Sequence, residues 1–235
     1  MKHFMFGLLA LLVVSVVQPA QASVHTVDGK QTVYFAGRTQ SELGAIAATA
    51  NPAAFGTPFL NGDIADFSLT SPEAIGVSGF SSISITADGL WSHTPSLGTG
   101  PEGKVSTSIT SEPEYGLFGV SLLNARLNML VGVFLSDDVP DPGSTPASLD
   151  AIAGDNMTSP LLNQTFAIGS SLEDILVPVG ATRLYLGLHN GWEWNNNAGS
   201  VTASIHGVPE PTTIVIWSLL ATLGLSVGWR RHRRK

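Results

Sequence analysis

Short runs of alternating apolar and polar residues, separated by Gly, Ser and Asn at intervals of about 8–12 residues, dominate the middle of the chain. That rhythm constrains the fold most, because it is the signature of an all-β sandwich. Phe80-Ser-Ser-Ile83-Ser-Ile85-Thr86 carries the alternation, and Asp88-Gly89 is a turn signal that is expected to end that strand. Leu117 to Leu135 is apolar, with Asn124-Ala125-Arg126 the expected break between two strands. Thr165–Ile168, Arg183–Leu188 and Ser200–Ile205 complete the set. One helix is expected near the start, where Thr39-Gln-Ser-Glu42 has capping-box form, Leu43 to Ala50 continues it and Asn51-Pro52 stops it. Residues 23–66 therefore read as an N-terminal extension with a short helix, and 67–207 as the sandwich. The segment 136–156 reads as a loop, and its length of about 20 residues suggests a functional or mobile insertion.

The two ends are of another kind. Lys2 and His3 precede the apolar run Phe4–Val17, followed by the small-x-small site Ala20-Gln21-Ala22. This is the plan of a signal peptide, residues 1–22, cut before Ser23. A retained membrane anchor is the alternative, but Pro19 breaks the helix just before the small-residue site. At the other end Thr212–Trp229 is an uncharged, mostly apolar run of 18 residues. As a helix it measures about 27 Å, just enough for a hydrocarbon core of about 30 Å. Arg230, Arg231, His232, Arg233, Arg234 and Lys235 follow at once, a cluster that the positive-inside rule keeps cytoplasmic. Pro209-Glu210-Pro211, one short span and an Arg-rich end, in that order, resemble the PEP-CTERM sorting signal of bacterial exported proteins. The resemblance covers residues 208–235. It implies recognition by an exosortase-type membrane protease, a membrane-anchored intermediate, and release to the cell surface or extracellular matrix.

The whole chain has a formal charge of −7, but the basic cluster at its end masks a more acidic interior. Between Ser23 and Gly207 five basic residues face 17 acidic ones, a net of −12. Nucleic acid is an improbable partner, because binding requires phosphate neutralisation by Lys and Arg. A cation is a natural one. There is no cysteine, so stability must come from core burial or from bound metal, and a domain of this size can bury enough apolar surface without staples.

No catalytic motif stands out, and the expectation is a protein that is not an enzyme. G-x-S-x-G, H-E-x-x-H and a Gly-rich phosphate loop are all missing from the sequence. Glu112 and Glu114 read as solvated charges around Pro113 rather than as a glycosidase pair. Asp137, Asp138 and Asp141 lack the glycine and closing glutamate of an EF-hand.

Three pieces line up in order: Ile83–Gly103, Leu127–Leu135 and Val177–Ile205. Together they are similar to the PA-IL-like family of calcium-dependent galactophilic lectins, whose fold is a galactose-binding-like β-sandwich of jelly-roll type. The resemblance spans roughly residues 68–205, and its specific part is HNGWEWNNNAGS, which begins at His189. It implies calcium held by side-chain oxygens before and after the last loop, together with backbone carbonyls. The ligand at the loop start falls on Asn190, and the pair at its end on Asn196 and Asn197. The carbonyl within the loop falls on Glu193 or Trp194, and an earlier one at about His93. Trp192 or Trp194 would offer a flat apolar face to a sugar.

The departures bear on affinity. Asn190 stands where the family has an Asp, so Glu193 is the one acid in the loop, and fewer charges mean weaker calcium binding. The family's sugar contacts have no clear match here. Two readings of the loop stay open: a divalent-metal site, or an Asn-rich turn whose tryptophans cap the end of the sandwich. The functional expectation is a carbohydrate- or exopolysaccharide-binding surface protein with a possible calcium site. The rivals are a structural surface protein that kept the fold and a hydrolase acting on glycans.

Overall fold

A computed structural model describes residues 21–49, 62–66, 72–94, 98–210 and 220. β1 (Gln21–Asp28) leads through a 3-10 turn at Val33–Phe35 to α1 (Gln40–Thr49). β2 (Ile75–Gly76), β3 (Phe80–Ser92) and β4 (Ser108–Thr110) follow, then a 3-10 helix at Pro113–Phe118. β5 (Leu123–Arg126), β6 (Leu130–Leu135), β7 (Leu149–Asp150), β8 (Thr165–Ala167), β9 (Ser171–Leu176) and β10 (Arg183–Leu188) precede the long last strand, β11 (Ala198–Pro209).

Two four-stranded sheets, ordered β1-β11-β3-β9 and β2-β10-β6-β8, stack face to face, and β4-β5-β7 form a small third sheet. The all-β sandwich expected from the strand rhythm is present. Between the large sheets Ile83, Ile85, Val201, Ala203 and Ile205 meet Leu130, Phe134, Phe166, Leu184 and Leu186. A second core lies on the other face of the β6–β10 sheet. There Val131, Val133, Leu135 and Tyr185 pack against Val33, Tyr34, Phe35, Leu43, Tyr115 and Phe118. β6 is buried at every position, which explains why its sequence is an unbroken apolar run rather than an alternation.

The capping box forms as expected. The Glu42 amide donates to Thr39 Oγ1 at 3.3 Å and the Thr39 amide to Glu42 Oε2 at 2.7 Å.

Three local expectations are corrected. Residues 23–66 are not an extension: β1 pairs with β11 from Gln21 opposite Gly207 to Asp28 opposite Ser200, and residues 33–36 and Leu43 build the second core. Asp88-Gly89 is not a turn, for β3 runs through it to Ser92. Gly89 is there because β11 passes too close for a side chain: a Cβ would sit 2.8 Å from the Ser200 carbonyl oxygen, at a φ of +126°. The break in the apolar run comes at Leu127–Met129, where Asn128 takes a left-handed φ of 64°, while Asn124–Arg126 lie in β5. The segment 136–156 is mostly loop, as expected. It holds a 3-10 turn at Pro142–Ser144 and β7, and Asp150 Oδ1 accepts from the Ile152 and Ala153 amides.

No helix among the described residues is long and apolar enough to cross a membrane. The expected signal peptide up to Ala20, the span Thr212–Trp229 apart from Leu220, Pro211, Arg230 and Arg231 lie outside the described residues. Ala22–Ser23, the expected cleavage point, lies within β1.

Candidate functional site

β10 ends at Leu188 and β11 begins at Ala198, so residues 189–197 carry the chain from one large sheet to the other across one end of the sandwich. Two large rings root this loop. His189 is fully buried, its Nε2–H donates to the Ile109 carbonyl at 2.8 Å, and burial pushes its pKa down to about 4. Trp194, also fully buried, donates Nε1–H to the Leu188 carbonyl at 2.6 Å. Its ring stands edge-on to Tyr115 and Tyr34 at 4.8 and 5.7 Å. Glu193, at a left-handed φ of 55°, makes the kink between the outward Trp192 and the inward Trp194. Of the two rings only that of Trp192 reaches the surface, at 38% exposure. Trp194, the expected alternative, does not.

Of the expected ligands, two are brought together. Asn190 and Asn197 are both buried, and Asn190 Nδ2 donates to Asn197 Oδ1 at 3.2 Å. Asn190 Oδ1 accepts from the Gly191 amide, and Asn197 Nδ2 donates to the Gly29 carbonyl at 2.9 Å, tying the loop to the end of β1. Asn196 is exposed and donates to Glu193 Oε2 at 3.2 Å. His93 follows Ser92, the residue paired with Ala198, so its segment leaves the sheet beside Asn197. Its Nδ1 is buried without a hydrogen-bond partner.

A further acid reaches this loop from far away in sequence. Asp63, fully buried in a helical turn at residues 62–65, accepts from Tyr115 Oη at 2.7 Å and from the Asn195 amide at 2.8 Å. Burial is the main cause that pushes its pKa up to about 6; the Tyr115 and Asn195 bonds oppose this, and the Glu193 charge adds to it. Asp66, at the end of the same turn, lies 4.0 Å from Lys30 Nζ, just after β1. Sequence reasoning missed Asp63, for Asn61-Gly62-Asp63 carries no signal beyond that of a turn.

The donor chemistry of Asn190, Asn197 and Glu193 fits a hard cation. Each amide oxygen accepts one hydrogen bond and keeps a second lone pair, and Glu193 brings one charge. Among the described residues no three His, Asp or Glu side chains gather as a ligand set. Two of the other acids considered are committed locally. Asp137 accepts from Thr182 Oγ1, and Asp141 from the Gly143 amide. A cleft of about 400 Å3 lined by Phe80, Val177, Pro178 and Glu210 sits at the far end of β11 from the loop.

Fold and site together define an all-β sandwich with an amide-lined loop and one exposed tryptophan at one end. No family model and no curated protein matches the chain. Among solved structures it is similar to the N-terminal domain of EclA, a PllA-like lectin, at 14% identity over 78% of this chain and 94% of that one, with a TM-score of 0.34. A likeness that distant assigns nothing to this chain.

Proposed function

We propose that this is an exported, non-catalytic carbohydrate-binding protein whose ligand rests on the 189–197 loop, with calcium assisting. The observation that carries the reading is Trp192, an exposed apolar face beside two buried, mutually bonded amides and the Glu193 carboxylate. Sugar C–H faces stack on such rings, and calcium accepts amide and carboxylate oxygens in its shell of 6–8. Asn190, Asn197 and Glu193 would hold the ion, which would in turn offer open positions to sugar hydroxyls.

Delivery follows from the chain ends: a signal peptide, then a PEP-CTERM tail recognised by an exosortase-type protease. The tail's first residues support an orientation. Pro209 closes β11 opposite Phe80, and the Glu210 amide donates to the Gly79 carbonyl at 2.9 Å. β11 spans roughly 40 Å at about 3.4 Å per residue, so a domain tethered by its tail holds the loop away from the membrane.

One observation favours the rival, a structural surface protein. Both amide oxygens already accept a hydrogen bond within the loop, as an inert Asn-rich turn would have it. The test is thermal melting of the full chain in mild detergent with millimolar calcium and then with chelator, followed by a glycan array. Binding confined to the native state raises the midpoint. An unchanged midpoint would remove calcium from the reading, and a blank array under both conditions would leave the structural role.

A further inference from the structure

We propose that Asn190 converts itself to a carboxylate: the main-chain nitrogen of Gly191 displaces the side-chain amide, and water then opens the ring that this leaves. The chain has two Asn-Gly pairs, Asn61-Gly62 and Asn190-Gly191, and Asn61 lies outside the described residues. At the second pair the Gly191 amide nitrogen lies 2.7 Å from Asn190 Oδ1. Cγ, the carbon to be attacked, is one bond from that oxygen on the same folded-back side chain. Groups held this near to contact have already met most of the positional cost of reacting. Gly191 has no Cβ to shield its nitrogen.

The surroundings fix the nucleophile and leave the side chain to move. Ser111 Oγ donates to the Asn190 carbonyl at 2.6 Å, and the Glu112 amide donates to the Gly191 carbonyl at 3.0 Å. The main chain on both sides of the reacting nitrogen is therefore held. Turning the amide plane so that Cγ faces that nitrogen breaks two local bonds, those to Asn197 Oδ1 and to the Gly191 amide. Asn197 is the contrast. It too is buried, but Ala198 follows it, and its side chain is drawn away to the Gly29 carbonyl.

The balance needs only water. The Gly191 nitrogen loses its proton and bonds to Cγ, the Cγ–Nδ2 bond breaks, and Nδ2 leaves with that proton as ammonia. Water then adds to the cyclic imide. Opening at Cγ gives Asp, and opening at the Asn190 main-chain carbonyl gives an isoaspartyl link. Nothing is oxidised or reduced, and either product puts a negative charge at position 190. In the same loop as Glu193, with Asn197 Oδ1 facing it, a buried carboxylate is costly unless a cation pairs with it, and added charge strengthens calcium binding. That consequence, unlike the conversion, rests on the loop being the cation site proposed above.

The test is peptide mapping by mass spectrometry of the full-length folded chain, kept for days in mild detergent and mildly alkaline buffer. Fragmentation separates position 190 from 197. The mass gain of an amide turned carboxylate is expected at Asn190, growing with time, with Asn197 unchanged. Gly191→Ala is expected to bring position 190 down to the level of Asn197, because the methyl group covers the nitrogen. The added Cβ would meet Ile109 Cδ1 at 2.5 Å, the end of a side chain that can turn aside. If that variant does not fold, the comparison of 190 with 197 decides alone. No gain at 190, equal gain at both positions, or an undiminished gain in a folded Gly191→Ala chain would overturn the proposal. Melting the aged chain in calcium and in chelator tests the binding reading separately. Conversion with no larger calcium shift would count against the loop as the cation site and leave the modification standing.

Discussion

Asn190 and Asn197 face each other across the mouth of the loop, Nδ2 to Oδ1 at 3.2 Å, and Asn197 reaches on to the carbonyl of Gly29. One amide pair thus binds the end of β10, the start of β11 and the end of β1. Asn197→Ala deletes both bonds and leaves a buried carbonyl and a buried amide unsatisfied. It is expected to cost about 1–3 kcal/mol, read as a lower urea midpoint with an unchanged slope.

Asn190→Asp keeps an acceptor for the Gly191 amide but loses the donor to Asn197, so two oxygens then face each other. In chelator the variant is expected to melt below the wild type. In millimolar calcium it should gain more than the wild type does, because an added charge raises calcium affinity and tighter binding to the native state raises the midpoint further. Equal shifts in both proteins would count against the loop as the calcium site.

Asp63 makes stability fall with rising pH. Its pKa is raised on folding from 3.8 to about 6, so folding favours the protonated form. That contribution is complete below about pH 4 and is lost as the pH rises through 6. A shift of about two units corresponds to about 3 kcal/mol. Asp63→Asn should flatten the stability profile between pH 4 and 7 and raise stability at pH 7, as measured by urea unfolding across that range. A wild-type profile already flat in that window would show that Asp63 does not titrate there.

The two loop tryptophans should separate cleanly. Trp194→Ala empties a fully buried site between Tyr34 and Tyr115 and is expected to cost about 3–5 kcal/mol. Trp192→Ala, at an exposed position, should leave the midpoint within a few degrees and abolish glycan binding. Calorimetric unfolding and the glycan array read the two effects independently.

The sandwich was legible because alternation is a local property: a strand with one face on the core and one in water writes a period of two into its own residues. β10 was read to the residue as Arg183–Leu188, and the helix start was read from the Thr39–Glu42 box. The misreadings share one cause. Gly89 looks like a turn residue, but it serves the close passage of β11, and Asn124–Arg126 look like a break although the left-handed residue is Asn128. β1 was missed as a strand because its partner lies about 180 residues away.

The sequence alone determined the class of fold, the absence of disulfides, the acidic charge of the domain and the loop on which polar and aromatic residues gather. Only the tertiary structure decided which side chains that loop turns inward. Trp194 is drawn in because Tyr34 and Tyr115 line a site for it, Trp192 is left out, and Asp63 arrives from a distant turn. Composition specifies which groups are available. Burial decides what each can do, since a ring or a carboxylate acts on a ligand only through the surface and the charge that packing leaves it.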